Sequence, residues 1–486
     1  MGKDILKLKP ESVWRNFYEL TQIPRPSKKE KKAIKYLKKF GDNLGLETIV
    51  DEIGNVIIKK PATDGMEDRK GIILQAHIDM VPQKNADTKH DFEKDPIDAY
   101  IDGDWVTARG TTLGSDNGMG VAAAMSVIEA KDIEHGPIEV LITMDEETGM
   151  TGAENLKAGM LDGDILVNLD SEDEGELYIG CAGGIDTTGE FKFKAEDVPE
   201  GMIAFKLAVK GLRGGHSGLD INLGRGNANK IMNILLLKGS EKYGLRLSEI
   251  NGGSLRNAIP RESFVVATVP EVNKDDFTQF VKEFEGIVKD EFKDTDAGVV
   301  VLAEETDMPK KLIDDKTAHN LYTLVAGCPN GVIAMSESVK GITETSSNLA
   351  IVKSTGKKIE LASLQRSLSN EDKDKLGVEM CKLFEASGAK ATSSGSYPGW
   401  KPNPDSTILK EMKEVYKNKF GKVPEVKVIH AGLECGILGA IYPNWDMISF
   451  GPTIRNPHSP DEMVNIETVK LFWEFLVETL KYVPKK

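Results

Sequence analysis

Three apolar runs in the first 170 residues, "GIILQAHIDMV", "PIEVLITMDEE" and "DILVNLD", end in residues that a sheet interior does not tolerate. Ile72, Ile73 and Leu74 suit a buried strand. His77 and Asp79 then follow two residues apart, so on an extended chain both lean to the same face. Glu146 and Glu147 close the second run and Asp170 the third. Helix-forming segments such as "SKKEKKAIKYLKKFGDNLG" and "NGMGVAAAMSVIEA" lie between or beside them. Strands alternating with helices predict an α/β sheet covered on both faces. Ligand sites of open α/β sheets lie beyond the carboxyl ends of the strands, so three polar strand ends point to one shared site.

The pattern changes near Met202. Strand-like "IAFKLAVK", a helix around Gly226–Leu237, strands in "YGLRLSEI" and "ESFVVATV", a helix in "KDDFTQFVKEFEGIVKDEF" and a strand in "GVVVLAEE" make the order βαββαβ, a ferredoxin-like unit. The helix "KTAHNLYTLVAG", the strands "SNLAIVKS" and "KKIELASLQRS" and the helix "NEDKDKLGVEMCKLFEASG" then read as a looser second copy. The α/β pattern returns near Ser396, with a helix in "DSTILKEMKEVYKNKFG", strands in "VPEVKVIHAG" and "WDMISFGP", and a last helix for which "HSPDE" supplies the polar approach. The expected fold class is α/β. A discontinuous catalytic domain (1–187 and 393–486), built on a mixed sheet covered by helices, carries an inserted α+β lid (188–392), ferredoxin-like and open to being a duplication.

A chain of 486 residues exceeds one comfortable core, as this division requires. Its formal charge of -15 would repel a phosphate backbone, which argues against nucleic acid and is compatible with bound divalent cations. No apolar run reaches bilayer length, and "MGKDILKLKPESVW" has neither an apolar signal core nor the Ser or Thr of a myristoylation pattern. Cys181, Cys328, Cys381 and Cys435 are scattered and form no CxxC pair. A cytoplasmic chain with reduced thiols and no membrane attachment is expected.

Taken singly, a strand-end His or Asp is more often a cap than a ligand. The coincidence of His-x-Asp, Asp116-Asn117-Gly118 before a helix of small residues, Glu146-Glu147, and Asp170 is harder to assign to caps. Neighbours on a strand face opposite ways, so two adjacent carboxylates serve one site only if the strand ends there. One is then free to bind metal while the other acts as a base. His458, in "GPTIRNPHSPDE", adds a second imidazole. Imidazole and carboxylate without thiolate suit zinc, cobalt or manganese. His90, His135 and His319 lie in charged or helical contexts and read as surface residues, and His430 is open to a structural or a functional role.

In order along the chain, "HIDMV", "GTTLGSDNGMGVA", "MDEETGMTGA", "NLDSEDEGELYIGCAGG", "GGHSG" and "NPHSPDE" resemble the dinuclear zinc aminopeptidases and dipeptidases of the M20 peptidase family, and within it the aminoacyl-histidine dipeptidases. The resemblance spans essentially the whole chain, the lid included, with no departure at a ligand position. It implies two divalent ions per chain, zinc foremost, with cobalt or manganese as alternatives. His77 and Asp170 would hold one ion, Glu147 and His458 the other, and Asp116 would bridge them across a cis Asp116–Asn117 peptide. Asp79 would orient His77, and Glu146 would be the general base. On the lid, His216 and Asn257 would contact substrate. The residues themselves offer Arg366 for a substrate carboxylate, with a solvated strand-face charge as its equal alternative, and Glu434 in "HAGLECG" for a free amino terminus.

The implied activity is hydrolysis of short peptides with a free amino terminus, Xaa-His dipeptides and β-alanyl-histidine among them. The expected assembly is a homodimer through the lid. Two alternatives stay open: a related amidohydrolase that removes acyl groups from N-acyl amino acids, and a non-catalytic metal-binding protein. Retention of Glu146 beside the ligands weighs against the second.

Overall fold

The computed structural model describes residues 3–337 and 339–486. They form two compact units. One takes the chain up to Gly180, then Trp400–Val428 and Leu433–Lys486; the other takes Cys181–Gly399 and Ile429–Gly432.

The first segment contains helices α1 (Glu11–Thr21) and α2 (Lys31–Asn43), strands β1 (Glu47–Val50), β2 (Val56–Lys60) and β3 (Ile72–His77), then α3 (Ser115–Glu129), β4 (Ile138–Thr143), β5 (Ile165–Asn168) and β6 (Glu176–Cys181). The second unit follows with β7 (Gly183–Lys192), β8 (Met202–Lys210), α4 (Ala228–Tyr243), β9 (Arg246–Gly252), β10 (Ser263–Pro270), α5 (Lys274–Glu291) and β11 (Val300–Glu305). It continues through α6 (Asp315–Gly327), β12 (Gly331–Met335), β13 (Thr343–Thr355), β14 (Lys358–Ser367), α7 (Asn370–Ala386) and β15 (Lys390–Tyr397). The last segment holds α8 (Thr407–Phe420), β16 (Glu425–Ile429), α9 (Glu434–Ile441), β17 (Asp446–Ser449) and α10 (Ile466–Lys481).

In the first unit eight strands form a mixed sheet in the order β1-β2-β4-β3-β5-β17-β6-β16. Its centre, β4-β3-β5-β17, is parallel throughout. Every residue of β3, β4 and β5 is buried, as parallel strands covered on both faces require. Their carboxyl ends share one edge of the sheet, which collects His77, the Glu146–Glu147 turn and Asp170. The hairpin β1–β2, which extends this sheet, was not anticipated from the sequence. Among the described residues no helix is long and apolar enough to cross a membrane.

In the second unit the sheet runs β11-β8-β10-β9-β13-β14-β7-β15, with β12 beside β13. β8, β9, β10 and β11 take the order 4-1-3-2 of a ferredoxin-like βαββαβ unit. The segment read as a looser second copy has no first strand of its own. β7 fills that position between β14 and β15, so the same order recurs as β15-β7-β14-β13. The first copy is thus inserted, in sequence, between the first strand and first helix of the second. This is why the unit starts at Cys181 and extends to Gly399, a few residues beyond the span expected at either end.

Helix α3 shows how sequence positions the shared edge. It is apolar on nearly all sides, with Ser115 and Asn117 through Ile128 buried. Its small residues let the backbone approach β5: Asn117 Nδ2 donates to the Leu169 carbonyl at 2.8 Å. A Cβ at Gly120 would lie 2.6 Å from that same carbonyl oxygen and 2.4 Å from Asn117 Oδ1. Gly120→Ala is therefore expected to destabilise the protein by about 1–3 kcal/mol, as over-packing does. A urea-unfolding midpoint equal to that of the wild type would show that α3 does not pack this closely.

Candidate metal centre

His77 is the last residue of β3, with its ring edge-on to three carboxylates. Nε2 lies 3.2 Å from Asp116 Oδ1 and 3.4 Å from Asp170 Oδ1, while Nδ1 lies 3.3 Å from Asp79 Oδ1. That last approach is close without being aligned as a formed hydrogen bond. Burial alone would lower the imidazole's pKa, but the Asp170 charge and the surrounding carboxylates outweigh it and hold it well above the ordinary value.

His458 comes from the opposite direction. Ile454–Arg455 and Met463–Asn465 pair as a hairpin, which is joined to Trp105–Ala108, and His458 lies in its connecting loop with φ of 59°. Its Nε2 is 3.1 Å from Asp116 Oδ2 and 3.0 Å from Glu147 Oε2. Those two hydrogen bonds push its pKa up to about 11. Asp116 thus presents Oδ1 to one imidazole and Oδ2 to the other, and both histidines lower its own pKa against the effect of burial. The Asp116–Asn117 peptide is cis.

Two ligand clusters result, each with its potential donor atoms within 4.8 Å of one another: His77, Asp116 and Asp170, and Asp116, Glu147 and His458. Glu146 joins His77 and Glu147 in a third group. Burial raises the pKa of Glu146 well above the ordinary value and raises that of Asp170 to about 6. Glu147 Oε1 and Asp170 Oδ1 are buried without a hydrogen-bond partner. Among the described residues no Lys or Arg forms an ion pair with any of these carboxylates.

Asp79 is fully buried and serves two elements at once. It accepts hydrogen bonds from Ser27 Oγ at 2.8 Å and from the backbone N–H groups of Glu146 at 3.0 Å and Glu147 at 3.2 Å. The His77 ring and the turn bearing both glutamates therefore share one anchor. Beneath them a buried polar row crosses the parallel strands. Asn168 Nδ2 donates to Gln75 Oε1 at 2.5 Å, and Ser449 Oγ to Asn168 Oδ1 at 2.5 Å. Gln75 Nε2 and Thr143 Oγ1 donate to Glu434 Oε2 at 2.6 and 2.7 Å. Glu434, the first residue of α9, is fully buried; its Oε1 has no partner, and burial raises its pKa to about 8.

Three further residues were not assigned to this region from sequence. Arg25, buried in the loop after α1, donates to the carbonyls of Ile78, Asp79 and Gly114. Glu462 accepts from the loop that carries Asp116. Gln75 belongs to the polar row. "HSPDE" precedes the last helix by the short strand Met463–Asn465: Asn465 caps α10 by accepting from Thr468 N–H, and Glu462 turns inward. The only legible signal for Glu462 was its place in the His458 motif. His135 also departs from the surface reading. It is buried in the loop before β4, with Nδ1 2.7 Å from the Gly136 carbonyl oxygen, because local charge says nothing of which side a loop turns to.

In the second unit, a two-residue ladder pairs Gly215–His216 with Ala258–Ile259, and Ser217 N–H donates to the Asn257 carbonyl at 2.8 Å, which brings His216 and Asn257 together. His216 Nδ1 accepts from the N–H groups of Gly218 and Leu219, so the ring proton sits on Nε2. Burial and then the Arg366 charge lower its pKa to about 4. Arg366 is only 4% exposed, which removes the solvated-charge reading. Its Nη1 donates to Tyr397 Oη at 2.7 Å, and among the described residues no carboxylate lies within ion-pair distance of it. His430 is buried beside Ser346 Oγ at 2.8 Å.

Residues 73–482 match the model of peptidase family M20/M25/M40. The cytosol non-specific dipeptidase of Escherichia coli (strain K12) is 45% identical over 483 residues, 99% of this chain and all of that protein. The crystal structure of aminoacylhistidine dipeptidase from Vibrio alginolyticus superposes with a TM-score of 0.91 at 47% identity, covering 99% of this chain and 98% of that one. A tripeptidase of Staphylococcus aureus, at 17% identity and a TM-score of 0.56 over 98% of this chain and 99% of that one, shares the fold. The chain belongs to peptidase family M20/M25/M40.

Proposed function

We propose that the chain is a metal-dependent dipeptidase that cleaves short peptides with a free amino terminus, Xaa-His dipeptides and β-alanyl-histidine among them. The observation that carries this reading is Asp116, whose two oxygens face His77 on one side and His458 on the other, each imidazole having a further carboxylate beside it. Among the described residues these buried carboxylates have two imidazoles but no Lys or Arg beside them, and Glu147 Oε1 and Asp170 Oδ1 stay without a hydrogen bond, a donor set suited to cations. Two divalent ions fit the donor set: one on His77, Asp170 and Asp116, the other on Glu147, His458 and Asp116. The absence of thiolates from that set favours zinc, with cobalt or manganese also accommodated. Such ions supply Lewis acidity, which acidifies water and polarises a carbonyl.

The remaining chemistry belongs to the chain. The Glu146 carboxylate, whose proton affinity burial raises, takes the proton from the attacking water and hands it to the departing amine nitrogen. Asp79 keeps His77 and the Glu146 turn in register. Glu434, with one buried oxygen unpaired, is assigned to the substrate's ammonium group. In the second unit, Arg366 is a buried cation suited to a terminal carboxylate. His216, neutral and protonated on Nε2, is suited to donate to a developing oxyanion, with Asn257 as a further substrate contact. We assign this unit the roles of lid and dimer surface. Its strand β12 leaves Ile333 and Met335 45% and 50% exposed, an apolar edge that a second copy would cover. A cytosolic location follows that of the E. coli relative.

The decisive assay is hydrolysis of Ala-His and β-alanyl-histidine after chelation, after return of zinc, cobalt or manganese, and with Glu146→Gln. Activity should vanish with the chelator and return with metal, and Glu146→Gln should lose about 100- to 10,000-fold in kcat while keeping its metal. Metal uptake without dipeptide cleavage, accompanied by deacylation of N-acyl amino acids, would favour the amidohydrolase. Metal uptake with neither activity would leave a metal-binding protein. Arg366→Met should raise KM about tenfold or more for dipeptides and leave carboxyl-amidated analogues unaffected; an equal effect on both would remove the carboxylate role. Sedimentation should give a dimer that Ile333→Lys weakens.

Metal binding should also release protons. In the metal-free protein His458 stays protonated up to about pH 11 and must lose that proton to become a ligand, so apparent affinity should rise with pH and fall as pH drops. Calorimetry near neutral pH, in buffers of different ionisation enthalpy, should therefore show net proton release. Zero release would contradict the assignment of His458.

A further inference from the structure

Glu462 is 2% exposed, and the loop leading to Asp116 surrounds its carboxylate with donors. Oε2 accepts the N–H groups of Leu113 at 2.8 Å and Gly114 at 2.9 Å. Oε1 accepts the N–H of Ser115 at 2.7 Å, its Oγ at 2.6 Å and the N–H of Asp116 at 3.2 Å. All five partners donate, so both oxygens must act as acceptors. Glu462 closes the loop that contains His458, and its own carbonyl is held by Thr107 Oγ1 at 2.8 Å. One side chain therefore ties the His458 hairpin to the backbone of the residue whose Oδ2 faces His458.

The opposite side of the same loop is held differently. Arg25 Nη2 donates to the Gly114 carbonyl at 2.5 Å, and Nη1 to the carbonyls of Ile78 and Asp79 at 2.8 and 3.1 Å. Gly114 has φ of 72°, and a Cβ there would meet Arg25 Nη2 at 2.7 Å, so only glycine lets the guanidinium lie against the loop. Arg25 thus couples the Asp116 loop to the His77 strand end, and Glu462 couples it to His458.

We propose that Glu462 is a positioning residue for one ion of the pair, the one served by Asp116, Glu147 and His458. The ion served by His77, Asp116 and Asp170 is positioned through Arg25 and Asp79 instead and depends on Glu462 much less. This rests on the metal-centre reading above. Ligands need placement to within about 0.5 Å, and among the described residues no side chain other than that of Glu462 hydrogen-bonds the backbone of the Asp116 loop to the hairpin of His458.

The alternative is that Glu462 only stabilises the fold, and Glu139 supplies a comparison within the same unit. It too is a buried carboxylate that accepts two backbone N–H groups, those of Asp162 and Gly163, both at 2.8 Å, and it lies outside the metal centre. The test titrates the metal-free wild type, Glu462→Gln, Glu139→Gln and His458→Ala with Co(II), read by calorimetry and by visible absorption. Gln matches Glu in shape but turns an NH₂ group towards the N–H donors.

The wild type and Glu139→Gln should each bind two ions. Glu462→Gln should bind one ion as the wild type does and the other about 10- to 100-fold more weakly, with its one-ion spectrum matching that of His458→Ala. Wild-type binding of both ions by Glu462→Gln overturns the proposal, as does equal weakening of both ions. If Glu462→Gln does not fold, Ser115→Ala removes a single donor and should weaken the same ion alone by a smaller factor; no such loss overturns it. A wild type that binds no Co(II) would instead refute the metal-centre reading, and this proposal with it.

Discussion

Asp116 faces His77 with one carboxylate oxygen and His458 with the other, and much of the first unit is arranged to make that double contact hold. The two histidines come from unrelated elements, a strand end and a hairpin loop more than 350 residues apart in sequence. A single short side chain reaches both only if its backbone is placed from several directions. Buried α3 holds it from behind, Asn117 ties it to the Leu169 carbonyl, Arg25 grips one side of its loop and Glu462 the other. Each of these contacts satisfies a buried polar group that would otherwise destabilise the fold. Stability and placement of the candidate ligands thus draw on the same hydrogen bonds.

The parallel strands extend this logic below the ligands. Gln75 lies two residues before His77 on β3, so their side chains share a face, and Asn168 closes β5 two residues before Asp170. They join Thr143, Ser449 and Glu434 in a buried polar row crossing β4, β3, β5 and β17. The row also reaches one strand end directly, because Asn168 Oδ1 accepts the Asp170 N–H at 3.2 Å. The same row leaves Glu434 with Oε2 hydrogen-bonded and Oε1 without a partner.

Much of the fold was legible because periodicity survives in short stretches. The fully buried strands, the small-residue helix α3 and the first βαββαβ order were all visible as local patterns. The hairpin β1–β2 and the role of β7 were not. Strand β7 pairs with partners about 170 and 200 residues away, so nothing local marks it as the first strand of the second copy. Of the residues drawn from separate motifs, His77, Asp116, Glu146, Glu147, Asp170 and His458 come close together within the first unit. His135 was misread, and the inward turn of Glu462 missed, because a charged neighbourhood does not reveal which way a loop turns.

The sequence by itself determined which chemical groups are available at each strand end: imidazoles and carboxylates in a thiolate-free set, with a second glutamate beside the one assigned to metal. Those choices are local, and no fold alters them. Only the tertiary structure decided that Asp116 divides its oxygens between two histidines, that Arg366 is a buried cation with no carboxylate partner among the described residues, and that Glu462 and Arg25 hold the Asp116 loop from two sides. Those relations depend on distances between segments remote in the chain. Such distances are set by how buried surfaces pack and by which backbone groups must find partners, and neither is written in a residue's neighbours.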